Sequence, residues 1–349
     1  MKRVWKIIRP ILLILLVVEV FLHFYNPFSG RVKNGQIVLP VNETYKVSNI
    51  GIPGLDTNLI HTKNSMGFRG PELPEDTNIT RVFCMGGSTT ECFYLSDGKD
   101  WPEVLARKFE TDKRKVWINN AGMDGQSAYG NLVMLEKHIL RYKPDYILLM
   151  CGLNDIGLEA PGKYDYNSDN NWLKKAYDFL EIPATINNII NANKARESRM
   201  NHQYLDIQKA QMLEMSDTQI LQRIAREQPL LAAYKQRVQK IIDVCKDNHI
   251  KLIFLSQTIL FGDETDPVTN INLGNIKLGD INGKTEGLLL KQYNKTTFEL
   301  AEANNLPYIN LSARLPKDSR FYYDGFHMTN DGAEMVANII FDEVRDIIR

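Results

Sequence analysis

The chain has 349 residues, 44% hydrophobic and 24% charged, enough to bury a full core in one large domain with insertions. Lys plus Arg and Asp plus Glu balance at 42 each without a sustained basic run, so the sequence lacks the electrostatic footprint of a nucleic-acid binder. Its six histidines are scattered and its four cysteines lack CxxC spacing, so no metal, no other cofactor and no required disulfide is expected, with a Cys92 and Cys245 pairing left open.

Residues 1–27 begin with Lys2, Arg3, Lys6 and Arg9 and continue into the apolar run Ile11–Val18. The stretch from Ile7 to Tyr25 has the length of a bilayer span, although Arg9, Glu19 and His23 weaken it. No Ala-x-Ala cleavage site follows, so a transmembrane signal anchor is favoured over a cleaved signal peptide or a soluble core helix. The charge order places a short stub in the cytoplasm and everything from about residue 28 outside it, which makes a single-pass protein of the cell membrane. Residues 28–80 read as a stalk and N-terminal extension. Within them Arg69 stands between two glycines, either near the functional face or, as favoured, paired with a surface carboxylate.

From residue 81 onward, short apolar runs alternate with helical patterns. Arg81–Met85 is too short and apolar for a surface helix and reads as a buried parallel strand, stopped by Gly86 and Gly87 ahead of Ser88. Asp100, Pro102 and Glu103 carry the signature of a helix start. Further strands are expected at Val116–Ile118, Tyr146–Cys151, Lys251–Ser256 and Tyr308–Leu311, and helices at Asn131–Arg141, Leu288–Asn304 and Asp331–Ile348. Residues of about 158–247 form a helical insertion, expected as Trp172–Leu180, Thr185–Lys194, Asn201–Met215 and Asp217–Cys245, the last broken near Pro229. Placed after the third strand, it serves either as a lid or as part of the outer helical layer. Phe261–Gly287 is a polar loop long enough to suggest a binding role.

The first three strands each end in a small polar loop. With right-handed β-α-β crossovers the strands run parallel and these loops converge on one sheet edge. Ser88 would need a base to take its proton and an acid to orient that base; Asp324 and His327 offer both from one short Gly-containing segment. An oxyanion would need donors, which the Ser88 N–H, a loop glycine N–H and the Asn154 amide can supply.

Four blocks, Gly86-Gly87-Ser88, Asn120-Ala-Gly-Met-Asp-Gly125, Gly152-Leu-Asn154-Asp155 and Asp324-Gly-Phe-His327, occur in this order over residues 81–349. In them the chain resembles the SGNH (GDSL-type) hydrolase family. The resemblance implies an α/β, three-layer, flavodoxin-like parallel sheet of order 2-1-3-4-5 with helices on both faces, following the N-terminal membrane helix. It further implies metal-free ester chemistry by Ser88, His327 and Asp324, with Ser88, Gly125 and Asn154 around the oxyanion. Gly-Gly-Ser replaces the family's Gly-Asp-Ser, a departure expected to change loop rigidity rather than abolish chemistry. The insertion and the anchor have no counterpart in small secreted members. The expected protein is therefore an extracytoplasmic, membrane-anchored esterase acting on an acylated small molecule, glycan or lipid, with O-acetyl groups as one candidate. An O-acyltransferase using the same triad and a catalytically silent surface-binding protein are the alternatives.

Overall fold

The computed structural model describes residues 2–26, 32–33, 36–49, 51–76, 78–158, 180–186, 189–190 and 202–348. The chain forms two compact units, one of residues 1–39 with 166–202 and the other of residues 40–165 with 203–349.

In the smaller unit, helix α1 runs from Lys2 to Phe24. The Glu19 carboxylate accepts the N–H groups of Glu181 (2.5 Å) and Ile182 (3.0 Å), capping a helical turn at 181–186. Among the described residues, no helix is long and apolar enough to cross a membrane, which corrects the expected span. The physical reason lies in the charges: only nine residues separate Arg9 from Glu19. At 1.5 Å per residue they cover about 14 Å of a hydrocarbon core about 30 Å thick. The helix expected at Trp172–Leu180 lies outside the described residues except for Leu180, and that at Thr185–Lys194 is described only at 185–186 and 189–190.

The larger unit opens with the antiparallel pair β1 (Thr44–Ser48) and β2 (Asn58–Thr62). The chain then runs through β3 (Thr80–Gly86), α2 (Ser88–Glu91), α3 (Trp101–Thr111), β4 (Val116–Asn120), α4 (Ala128–Met134) and β5 (Tyr146–Met150). It continues through α5 (Asp217–Ala225), α6 (Gln228–Asp247), β6 (Lys251–Leu255), α7 (Gly283–Ala303), β7 (Tyr308–Ile309) and α8 (Asn330–Val344). The five-stranded parallel sheet has the spatial order β7-β6-β5-β3-β4, the 2-1-3-4-5 order expected when its strands are counted along the chain.

Alternate residues of the sheet strands face opposite layers and both sets are buried, which is why these runs are continuously apolar. Val82, Cys84, Leu148 and Met150 share a core with Trp101, Leu105 and Phe109 of α3 and Val336 and Ile340 of α8. Helices α4, α6 and α7 pack against one another in succession. All four cysteines are buried free thiols, Cys92 and Cys245 included.

Three helix expectations change. Helix α4 begins at Ala128, because the Ser127 hydroxyl accepts the Tyr129 and Gly130 N–H groups, and it passes into a π-turn at Leu135–Ile139. Helix α7 begins at Gly283, five residues early, because the Asn282 side chain caps the Thr285 N–H. Where it is described, from residue 202, the helix expected at Asn201–Met215 is extended chain with a single turn at Ile207–Lys209: Leu213 N–H donates to Asn275 O and Lys277 N–H to Gln211 O, so a neighbouring segment takes hydrogen bonds a helix would have used. The break at Pro229 is as expected, with the proline in the first turn of α6.

Arg69 is fully buried rather than on the surface. Its guanidinium lies 3.2 Å from Asp100 and donates to the carbonyls of Glu91 (2.9 Å), Cys92 (2.6 Å) and Leu95 (2.9 Å). Burial opposes charge on Asp100, but Arg69 and the capped amide of Glu103 hold its carboxyl below the usual range; burial together with the Asp100 charge pushes Glu103 up to about 9. Removing Asp100 leaves Arg69 only the longer carboxylate contacts to Asp97 (3.5 Å) and Glu103 (3.8 Å), so Asp100→Ala is expected to cost about 3 kcal/mol in urea unfolding. A loss below about 1 kcal/mol would mean that water reaches the Arg69 site.

Candidate active site

Sheet geometry places three polar loops at the carboxyl ends of neighbouring strands, β3, β4 and β5. Strand β3 ends at Gly86, extended Gly87 caps α2, and Ser88 is the first residue of that one-turn helix, an element that the sequence pattern did not reveal.

Asp324 and His327 reach this rim from the loop before α8. The His327 Nε2 lies 2.7 Å from Ser88 Oγ, and His327 Nδ1 lies 2.6 Å from Asp324 Oδ2. The other carboxylate oxygen, Asp324 Oδ1, accepts the N–H groups of Phe326 (2.9 Å) and His327 (2.7 Å), so the acid is fixed by its own loop. An ionised carboxylate only accepts, so Nδ1 carries the ring proton and Nε2 is free to accept from the serine hydroxyl. Burial works against the Asp324 charge, yet the His327 ring and the two amides outweigh it and hold the carboxyl below its ordinary value. The Tyr323 ring stacks on the imidazole at 5.7 Å and 18°. All three predicted triad residues therefore meet.

Of the predicted oxyanion donors, Asn154 and the loop that carries Gly125 come up to Gly87, the residue before Ser88. The N–H groups of Ser88 and Gly125 donate to no acceptor among the described residues. Asn154 Nδ2 donates one hydrogen to Gln126 O at 3.1 Å, which leaves its second hydrogen. A Cβ on Gly87 would stand 2.4 Å from Asn154 Nδ2 and 3.3 Å from Gln126 O, so the loops after β3, β4 and β5 close on one another here. This explains the Gly-Gly-Ser departure: the Asn154 amide occupies the space where residue 87 would carry a side chain.

Several supports were not legible beforehand. Buried Glu91, on the same short helix as Ser88, accepts from Lys63 Nζ (2.8 Å) and from the backbone N–H of Asp124 (2.6 Å), the residue before Gly125. It thereby ties the N-terminal extension to the loop bearing the proposed glycine donor. Asp155 accepts the Ala128 N–H (2.9 Å) and an Arg237 N–H (3.1 Å), holding the Asn154 turn against the start of α4; burial raises its carboxyl to about 6 despite Arg237. Gln257, beyond β6, hydrogen-bonds Thr89 Oγ1. Only the buried placement of these residues reveals their roles, since in sequence they are ordinary polar positions. Glu91→Ala is expected to lower kcat about tenfold with little change in KM, and Glu91→Gln, which keeps an acceptor for the Asp124 amide, to recover part of the loss. Equal kcat in the two variants would show that the bond to the glycine loop has no catalytic consequence.

A family model described as GDSL-like lipase/acylhydrolase matches residues 84–335. The chain belongs to the GDSL-like lipase/acylhydrolase family. It is a carboxylic ester hydrolase of this type, carried on the family's five-stranded parallel α/β fold. Similar solved structures include a putative acylhydrolase from Bacteroides fragilis (16% identity, 80% of this chain and 93% of that one, TM-score 0.43). Others are a lipase/acylhydrolase from Enterococcus faecalis (16%, 78% and 98%, 0.44) and an acetylxylan esterase from Geobacillus stearothermophilus (14%, 76% and 94%, 0.45). No curated protein matches the sequence.

Proposed function

We propose that this GDSL-type hydrolase cleaves acyl esters through Ser88, His327 and Asp324, and that it does so outside the cytoplasm at a membrane. The observation that carries the chemistry is the unbroken relay from Ser88 Oγ to Nε2 (2.7 Å) and from Nδ1 to Asp324 (2.6 Å). As Ser88 Oγ attacks the ester carbonyl, His327 takes the hydroxyl proton and Asp324 stabilises the resulting imidazolium. The Ser88 and Gly125 N–H groups and the free Asn154 hydrogen receive the oxyanion. His327 returns the proton to the leaving alcohol; water, deprotonated by the same ring, then releases the acid and restores the serine.

The membrane reading rests on α1, whose Leu12, Leu13, Ile14, Leu16 and Val17 are 54–63% exposed, a surface that water disfavours, preceded by Lys2, Arg3, Lys6 and Arg9. Residues 28–80 then serve as stalk and extension, residues 81–349 as the hydrolase domain, and about 158–247 as its helical insertion. The substrates that suit this location are acylated surface glycans or lipids, with O-acetyl esters the first to try.

A fluorophosphonate should label wild-type protein at Ser88 and leave Ser88→Ala and His327→Ala unlabelled. Labelling elsewhere, or none of folded wild-type protein, would reject the mechanism. Incubation with an acetylated glycan and an unacetylated acceptor then separates hydrolysis, which yields free acetate, from transfer, which yields a newly acetylated acceptor. Sedimentation of the full chain with membranes supports the membrane location, and its full recovery in the soluble fraction rejects it.

A further inference from the structure

Between the loop after β6, α7 from Lys284 to Phe298 and the segment from Tyr308 to Lys317 lies a cavity of about 730 Å³. This is within the range of small-molecule sites, and none of Ser88, Asp324, His327, Gly125 or Asn154 lines it. Its accessible apolar wall includes Leu288, Phe298 and Tyr308, while its charge is one-sided, with four lysines against the two carboxylates Asp263 and Glu264. Lys284 is engaged by Asp263 at 3.0 Å and Lys295 by Glu299 at 3.7 Å.

Lys291 and Lys317 form no ion pair among the described residues. The Lys317 ammonium donates only to backbone, to the carbonyls of Ile259 and Phe261. Burial lowers its pKa to about 8, and the nearby Glu264 charge only partly offsets this. A partly buried ammonium held by carbonyls, with Glu264 near it but no carboxylate in ion-pair contact among the described residues, is an arrangement that a bound anion stabilises.

We propose that this cavity is a binding site, separate from the ester-cleaving centre, for an anionic amphiphile: a carboxylate or phosphate head pairs with Lys317 and Lys291, and a short apolar tail lies against Leu288, Phe298 and Tyr308. The site adjoins the back of the catalytic loop. Leu260 N–H donates to Gly325 O at 2.8 Å, and the Phe261 ring meets Phe326 edge-on at 5.2 Å. A Cβ on Gly325 would collide with the Phe261 ring, so Phe261, whose carbonyl holds Lys317, packs directly on the Asp324–His327 loop.

The test is calorimetric titration of full-length Ser88→Ala protein with hexanoate, hexyl phosphate and, as the uncharged control, hexanol. The expected result is one site for at least one of the two anions, with hexanol at least tenfold weaker. Lys317→Met, which keeps the apolar stem, should weaken the bound anion at least tenfold. Lys291→Gln, a change that leaves the buried wall untouched, should weaken it several-fold. The stronger anion identifies the head group. Absence of binding by both anions, hexanol binding as tightly as they do, or affinities unchanged in both lysine variants would overturn the proposal. Because the protein used lacks the serine hydroxyl, none of these outcomes depends on whether Ser88 is the nucleophile.

Discussion

Ser88→Ala is expected to lower kcat on a small activated ester by about 10⁴-fold or more, with the fold intact. The serine hydroxyl is a single small group on an already formed helical turn, and the proposed oxyanion donors come from backbone and from Asn154, so truncation removes the bond-forming atom and little else. His327→Ala should fall by a similar factor, and the double variant should be no worse than either single one, because nucleophile and base act as one unit. Asp324→Asn should lose about 10³–10⁴-fold: the amide cannot serve both as acceptor for the Nδ1 proton and as acceptor for the Phe326 and His327 N–H groups in the observed geometry. Additive losses in the double variant, or more than about a tenth of the activity surviving in Ser88→Ala, would mean that another residue attacks the ester.

The second large effect concerns the space beside Gly87. Asn154→Ala should reduce kcat about 10²–10³-fold, the usual consequence of deleting one oxyanion donor. Gly87→Ala should come close to that loss without touching Asn154, since its Cβ would stand 2.4 Å from the amide nitrogen and push it from the rim. Gly87→Asp, which restores the family's common Gly-Asp-Ser, should impair this enzyme rather than improve it. Steady-state kinetics on the two single variants and the Gly87→Ala/Asn154→Ala double variant test the idea; the double should be about as slow as Asn154→Ala alone. Wild-type kcat in Gly87→Ala would show that the amide sits elsewhere during turnover.

Much of the architecture could be read in advance because its signals are local. A parallel strand buried on both faces is a short apolar run, so Val82–Met85, Tyr146–Met150 and Leu252–Leu255 announced themselves. Cap chemistry at Asp100 and the proline in α6 fixed helix starts for the same reason. Expectations failed where a distant partner intervened. The 201–215 segment has helical composition, but Asn275 and Lys277 take its backbone hydrogen bonds.

From its residues alone, this protein was committed to a parallel α/β sheet with a serine, an Asp-x-x-His pair, a glycine loop and an asparagine at one rim: strand burial and crossover handedness are consequences of local sequence. Tertiary structure alone decided how that rim is held. Packing let the Asn154 amide enter the space left by Gly87, turned Arg69 inward to clamp the end of the serine helix, and set Glu91 between Lys63 and the glycine loop. Such choices join groups tens of residues apart, and a buried charge or donor finds its partner by position in space, which chain order does not encode.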